Sequence, residues 1–215
     1  MRELSSGKLS GVLLILAFLM LVVGGIAAPS GAYQGAIEER LAIIDANQAQ
    51  WIVSKVLDGS AVAFMGAGGV ILAIGLRRRS WLGVTGGTSL GAAGIVGLVY
   101  VYRLATDPGP LYDRAVPVPT VIVLVALTAI GLLGLGLCFL LAGYPRWASL
   151  IGTVAGVGAL IGLAPILILR PGPEPVFAVE AFAFVGILSI GIMLVRQRGQ
   201  RPVGAADKAR VDGNA

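Results

Sequence analysis

The chain has 215 residues, 57% hydrophobic and 13% charged, with 32 glycines, a formal charge of +5 and no histidine. Its mean hydropathy is +0.91 and its pI about 9.8. A soluble domain carries about 25% charged residues, so that class is excluded. So are an intrinsically disordered chain, by hydrophobicity, collagen, by the absence of a Gly-X-Y period, and a disulfide scaffold, because Cys138 stands alone.

Charges act as rulers along the sequence. Stretches without Asp, Glu, Lys or Arg run Leu9–Ile37, Gly59–Leu76, Ser80–Tyr102, Ala115–Pro145 and Trp147–Leu169, with lengths of 29, 18, 23, 31 and 23 residues. Pro175–Val195 adds 21 residues if Glu180 is admitted. A helix needs about 20 mainly apolar residues to cross a hydrocarbon core of about 30 Å. The runs are apolar all round, which predicts helices and not the alternating strands of a membrane barrel. The fold class expected is all-α: a polytopic transmembrane helix bundle of six spans filling 11–195. The spans lie near 11–28, 60–76, 82–102, 118–142, 148–169 and 176–195, with one external amphipathic helix between the first two.

In chain order, residues 1–10 form a cytoplasmic N-terminus. Arg2, Lys8, the run from Val12 to Val23 and the small Gly25 and Ala27 also match a cleavable signal peptide, which would leave five spans. The external segment 29–59 places Ile37, Leu41, Ile44, Ile52 and Val56 at mostly helical spacing, with Trp51 beside the stripe. That pattern predicts a helix on the outer leaflet. It serves as a seal on the bundle, a lid over a ligand or a docking surface for a partner. Gly59-Ser60 is expected to bend the chain into the second span.

Arg77-Arg78-Arg79-Ser80 forms a short inner turn, and Gly83, Gly87 and Gly91 then repeat at four-residue spacing in the third span. The outer loop 103–117 follows with Asp107-Pro-Gly-Pro, and the inner turn Gly143-Tyr144-Pro145-Arg146 comes after the fourth span. The fifth carries Gly152 and Gly156, then Gly158 and Gly162. Small residues at this spacing let backbones approach closely in lipid. Spans three and five are therefore expected to be the most buried, through packing within the chain or through a homodimer. Arg170-Pro-Gly-Pro-Glu-Pro connects to the last span, and 196–215 reads as a disordered, basic cytoplasmic tail.

With both termini inside, 11 of the 16 Lys and Arg residues fall on the inner side and 5 on the outer. The positive-inside rule favours that orientation and a cytoplasmic-membrane location. Trp81, Tyr144 and Trp147 then mark the inner boundary, Tyr100 and Tyr102 the outer one. The basic inner face is expected to meet anionic lipid headgroups. No soluble segment is long enough to offer a nucleic-acid face.

Glu180 stands apart, because a carboxylate inside a span marks a functional hypothesis by default. With Arg103, Arg170, Tyr100 and Tyr102 at the same level, it makes up a candidate outer-leaflet polar site. The readings open there are an ion pair, a polar pocket under the external helix, and an interfacial carboxyl. No catalytic, cofactor-binding or metal site is expected. Without histidine there is no His-based triad, HExxH zinc site or His-ligated haem, and Cys138 has no base near it in the sequence.

Tyr144-Pro145-Arg146-Trp147, followed by Ile151-Gly152 and Ala155-Gly156, resembles a domain-of-unknown-function family of small bacterial multi-pass membrane proteins. Gly11-Val12-Leu13 in the first span and an external helix before the second fit the same likeness, which implies a fold and no catalytic residues. The function expected is a non-enzymatic bundle that binds a lipophilic ligand or serves as a partner subunit, with a membrane-protein partner or a second copy as companion. The alternative is a small transporter or channel-like protein for a small solute.

Overall fold

A computed structural model describes residues 2–109, 118–169 and 174–196. Among them are seven α-helices and no strand: α1 (Arg2–Ala27), α2 (Ile37–Ala46), α3 (Gln48–Leu76), α4 (Trp81–Thr106), α5 (Val118–Leu141), α6 (Arg146–Leu169) and α7 (Glu174–Arg196). Five of these, α1, α3, α4, α5 and α6, contain stretches long and apolar enough to cross a membrane. In α7 the corresponding apolar stretch is the shorter Ala181–Arg196. The tail beyond Arg196, the connector 170–173 and loop residues 110–117 lie outside the described residues.

The six long helices form a closed ring in which α1 packs on α3, α3 on α4, α4 on α5, α5 on α6, α6 on α7, and α7 back on α1. Every seam is antiparallel. Residues 66 and 69 of α3 meet 94 and 87 of α4, and residues 11 and 15 of α1 meet 195 and 191 of α7. An even number of helices makes this possible, because the first and last then run in opposite directions like every other pair.

Glycine sets how close the helices come. A Cβ on Gly94 would lie 2.7 Å from Gly66 Cα, one on Gly86 2.7 Å from Leu135 N, and one on Gly11 2.8 Å from Gly191 O. Carbon contacts are optimal near 3.5–4.0 Å, so no side chain fits at these seams. Gly83 faces Leu76 and Cys138, Gly87 faces Gly69 and Ala73, and Gly91 faces Val70. Gly152 faces Ile190, Gly156 Ala129 and Leu133, Gly158 Phe182, and Gly162 Val179, so all seven glycines singled out in the sequence meet neighbours of the same chain.

Two expectations are corrected. Among the five candidate spans the most buried is α5, followed by α3 and α4 and then by α6. It touches α4, α6 and also α7 across the ring; Gly131 and Gly134 open its face toward α4, and Gly136 its face toward α6.

The second correction concerns the segment before the second span. Helix α2 stops at Asn47, whose backbone (φ −127°, ψ 38°) leaves the helical region and whose side-chain amide donates to Ile43 O at 2.9 Å. From Gln48 the chain then runs as one helix of 29 residues to Leu76, with no bend at Gly59-Ser60. Ser60 Oγ donates to Val56 O at 2.9 Å within that helix. A glycine inside a helix costs only about 1 kcal/mol, too little to break one that packs on α1 and α4. The break at Asn47 also resets the helical phase. Ile37, Leu41 and Ile44 do pack toward the core, but Ile52 and Val56 face outward.

Candidate functional site

The first turns of α3 are oriented inside out by the standards of a soluble protein. Ile52, Val53 and Val56 are exposed, while Trp51, Ser54 and Lys55 are buried. Residues 51, 54, 55 and 58 are spaced by three, one and three, so they share one face of the helix. In a bilayer this makes sense, because the lipid side accepts the apolar face and polar groups must find partners inside.

Those side chains reach three other parts of the chain. Ser54 Oγ donates to Gly24 O of α1 at 2.8 Å. Trp51 Nε1 donates to Leu104 O near the end of α4 at 3.1 Å. That carbonyl would otherwise await the amide four residues on, which is Pro108 and has no N–H. Gln50, one residue earlier, reaches Ala28 O at 3.4 Å.

Lys55 is the centre. Only 3% exposed, it is ion-paired with Asp58 one turn along and donates to Tyr33 Oη at 2.8 Å. Its ammonium also lies 4.5 Å from the Trp51 ring centroid and 5.5 Å from that of Tyr33. Both distances are within cation–π range. The two rings are tilted against each other with centroids 6.0 Å apart. Asp58 in turn presses its carboxylate against Gly24, where any Cβ would collide with it.

Tyr33 comes from the segment between α1 and α2, which is shaped by tight turns. Ala32 N–H donates to Pro29 O and Gln34 N–H to Gly31 O, both at 3.0 Å. Gly31 and Gly35 each have φ +88°, a left-handed conformation that glycine adopts without strain. Arg40 Nε then donates to Gly35 O at 2.8 Å, tying α2 to the same segment.

The result is a charged clamp at one end of the bundle, joining α1, the 28–36 segment, α3 and α4. Asp58 and Lys55 lie about 27 and 32 Å along the helix axis from Leu76, at a rise of about 1.5 Å per residue. That is close to a hydrocarbon thickness of about 30 Å, so a bilayer crossed by α3 with Arg77–Arg79 at one boundary would have the pair at the other. Chemically the arrangement holds a cation in place: Lys55 is enclosed by a carboxylate, a phenol and two aromatic faces. Among the described residues no group of three His, Cys, Asp or Glu could hold a metal.

The candidate site built on Glu180 fares differently. Tyr100 is buried, whereas Tyr102, two residues on, and Arg103 are exposed. Two residues are about 200° around a helix, so Tyr100 and Tyr102 face opposite sides and do not line one pocket. The Glu180 side chain and Arg170 lie outside the described residues. Sequence reading passed over the Lys55 cluster, although its signal was present: Trp, Ser, Lys and Asp on a single helical stripe, directly before an apolar span.

Compared with protein-family models, curated proteins and solved structures, the chain matches none.

Proposed function

We propose that this is a non-enzymatic multi-pass protein of the cytoplasmic membrane. It crosses six times, has both termini in the cytoplasm, and uses its outer end, capped by α2, to dock a partner subunit. The Lys55–Asp58 clamp carries this reading. A buried ion pair is costly relative to apolar side chains of equal volume. What it supplies here is fixed geometry for the 28–36 segment and α2, whose Glu38, Glu39 and Asp45 are exposed. A preorganised polar cap suits docking better than turnover.

Other features point the same way. At 23 residues α7 is about 35 Å long, enough for a sixth crossing, and it closes the antiparallel ring. Helix α1 packs between α3 and α7, which favours its retention over cleavage as a signal peptide. Three hydroxyls deeper in the bundle satisfy themselves locally. Thr128 Oγ1 donates to Leu124 O at 2.9 Å, Thr153 Oγ1 to Ser149 O at 2.8 Å and Ser189 Oγ to Gly186 O at 2.8 Å. Such groups offer no charged midplane site, which weighs against the transporter alternative. Membership in the domain-of-unknown-function family is proposed on the Tyr144–Trp147 turn and the glycine-rich α6 it opens.

Native mass spectrometry after gentle extraction tests the reading, with wild type compared to the Lys55→Met, Asp58→Leu double variant. A discrete protein partner that is lost in the variant is the expected result. A small lipophilic mass instead would move the reading to ligand binding under the cap. A bare wild-type monomer would overturn both and direct attention to solute flux in liposomes.

A further inference from the structure

The end of the bundle opposite the clamp carries two short turns, residues 77–80 between α3 and α4 and residues 142–145 between α5 and α6. They are neighbours. A Cβ on Gly83 would lie 3.0 Å from Cys138 Sγ, and one on Gly134 3.0 Å from Leu82 O, so the start of α4 rests on the end of α5.

Both turns are well built. Ser80 caps α4, its Oγ accepting from Gly83 N–H at 3.2 Å. In the second turn Gly143 has φ +75°, Tyr144 N–H donates to Phe139 O at 3.0 Å, and the two rings pack at 4.9 Å. This is a glycine-terminated helix end with its accompanying hydrophobic contact. Arg146 and Trp147 are therefore presented on a stiff support.

Arg77, Arg78 and Arg146 are exposed at these turns. No Asp or Glu lies on α3 after Asp58, or anywhere on α4, α5 or α6. Helix α1, which packs on α3 and α7, carries Glu3. The N-termini of α4 and α6 open at the same place, adding the positive ends of two helix dipoles. The four helices that bear these turns thus supply no counter-charge.

Apolar surface surrounds this positive region: Trp81 is 75% exposed, Leu141 77% and Trp147 47%. Indole rings favour the level of lipid headgroups. An anion with two apolar tails meets both requirements. We propose that the two turns form a binding site for an anionic phospholipid, its phosphate between Arg146 and the Arg77-Arg78 pair and its acyl chains running past Leu141. The proposal rests on the reading of the bundle as membrane-crossing.

Tryptophan quenching tests it directly, because Trp51 is buried and serves as an internal reference while Trp81 and Trp147 report on lipid. The full chain is reconstituted in phosphatidylcholine vesicles containing acyl-brominated phosphatidylglycerol or acyl-brominated phosphatidylcholine. Preferential quenching by the anionic lipid is expected, falling about fivefold for each arginine removed in Arg146→Gln and in Arg77→Gln, Arg78→Gln. Trp81→Phe and Trp147→Phe should each remove part of the quenched signal. Equal quenching by the two lipids, or a preference indifferent to the arginines, would overturn the site while leaving the membrane reading intact. Absence of quenching by either lipid would overturn the membrane reading itself.

Discussion

At one end of the bundle Lys55 is 3% exposed and closed in by Asp58, Tyr33 and Trp51; at the other, Arg77, Arg78 and Arg146 stand exposed at two turns whose flanking helices carry no nearby carboxylate. The same kind of charge is handled inwardly in the first case and outwardly in the second. Where the protein itself compensates a cation, that cation becomes part of the fold and its loss should appear as lost stability. Where compensation is left to the surroundings, its loss should appear in association with lipid, and stability should hardly change.

The strongest way to break this comparison is Lys55→Met. It leaves Asp58, its side chain only 14% exposed and pressed against Gly24, without its cation, and removal of one partner of a buried pair costs about 3–5 kcal/mol. Thermal unfolding in detergent, followed by tryptophan fluorescence, should show a large loss. Lys55→Met combined with Asp58→Leu should recover most of it, since an apolar pair needs no counter-charge. If the double variant is no more stable than the single, the pair is not the unit that holds this end.

The next effect tests whether the ring depends on backbone contact. Gly94→Ala puts a methyl 2.7 Å from Gly66 Cα and 2.9 Å from Val62 O, both on α3 and neither able to rotate away. Overpacking of this kind costs about 1–3 kcal/mol. Gly25→Ala is the control: nothing lies within 4 Å of its Cβ position, so the change should be neutral or stabilising by up to about 1 kcal/mol. Equal melting of the two variants would mean that glycine is present at the α3–α4 seam for some reason other than close approach.

Much of the architecture was legible because charge is excluded from the apolar runs. The helices α1, α4, α5 and α6 lie over stretches whose lengths alone mark them. The start of α3 was not legible, for two reasons. Gly59-Ser60 carries a local turn signal, yet the hydrogen-bond ladder and packing on both sides override it. Lys55 and Asp58 also look like a solvated face, because that reading assumes water outside. With lipid outside, Ile52, Val53 and Val56 become the outer face and the charges turn inward. The partners of Lys55 are far apart in sequence: Tyr33 lies 22 residues away and the carbonyl that holds Trp51 lies 53 residues from that indole. No helical period links those positions, so the clamp required the fold to become visible.

Trp51→Phe is expected to give a smaller loss than either change above, about 1–2 kcal/mol. The ring and its packing remain, but the indole N–H to Leu104 O is lost and, with Pro108 four residues on, no backbone amide replaces it. The cation–π contact with Lys55 also weakens, because indole is the best aromatic partner. Hydrogen exchange of the last turn of α4 provides a second readout: opening should be confined there, with the α5–α6 turn unaffected.

The smallest expected effect completes the comparison from the other end. Arg146→Gln removes an exposed charge at the first position of α6, where a cation is slightly unfavourable to the helix dipole. Surface substitutions of this sort change stability by less than about 0.5 kcal/mol. Melting in neutral detergent should therefore match wild type, while stabilisation by added phosphatidylglycerol should fall. A ligand stabilises only as far as it binds the folded state, so the gap between the two proteins should widen as the anionic lipid is titrated and vanish in its absence. If Arg146→Gln instead melts early in neutral detergent, its guanidinium is compensated within the protein after all, and the two ends of the bundle treat charge alike.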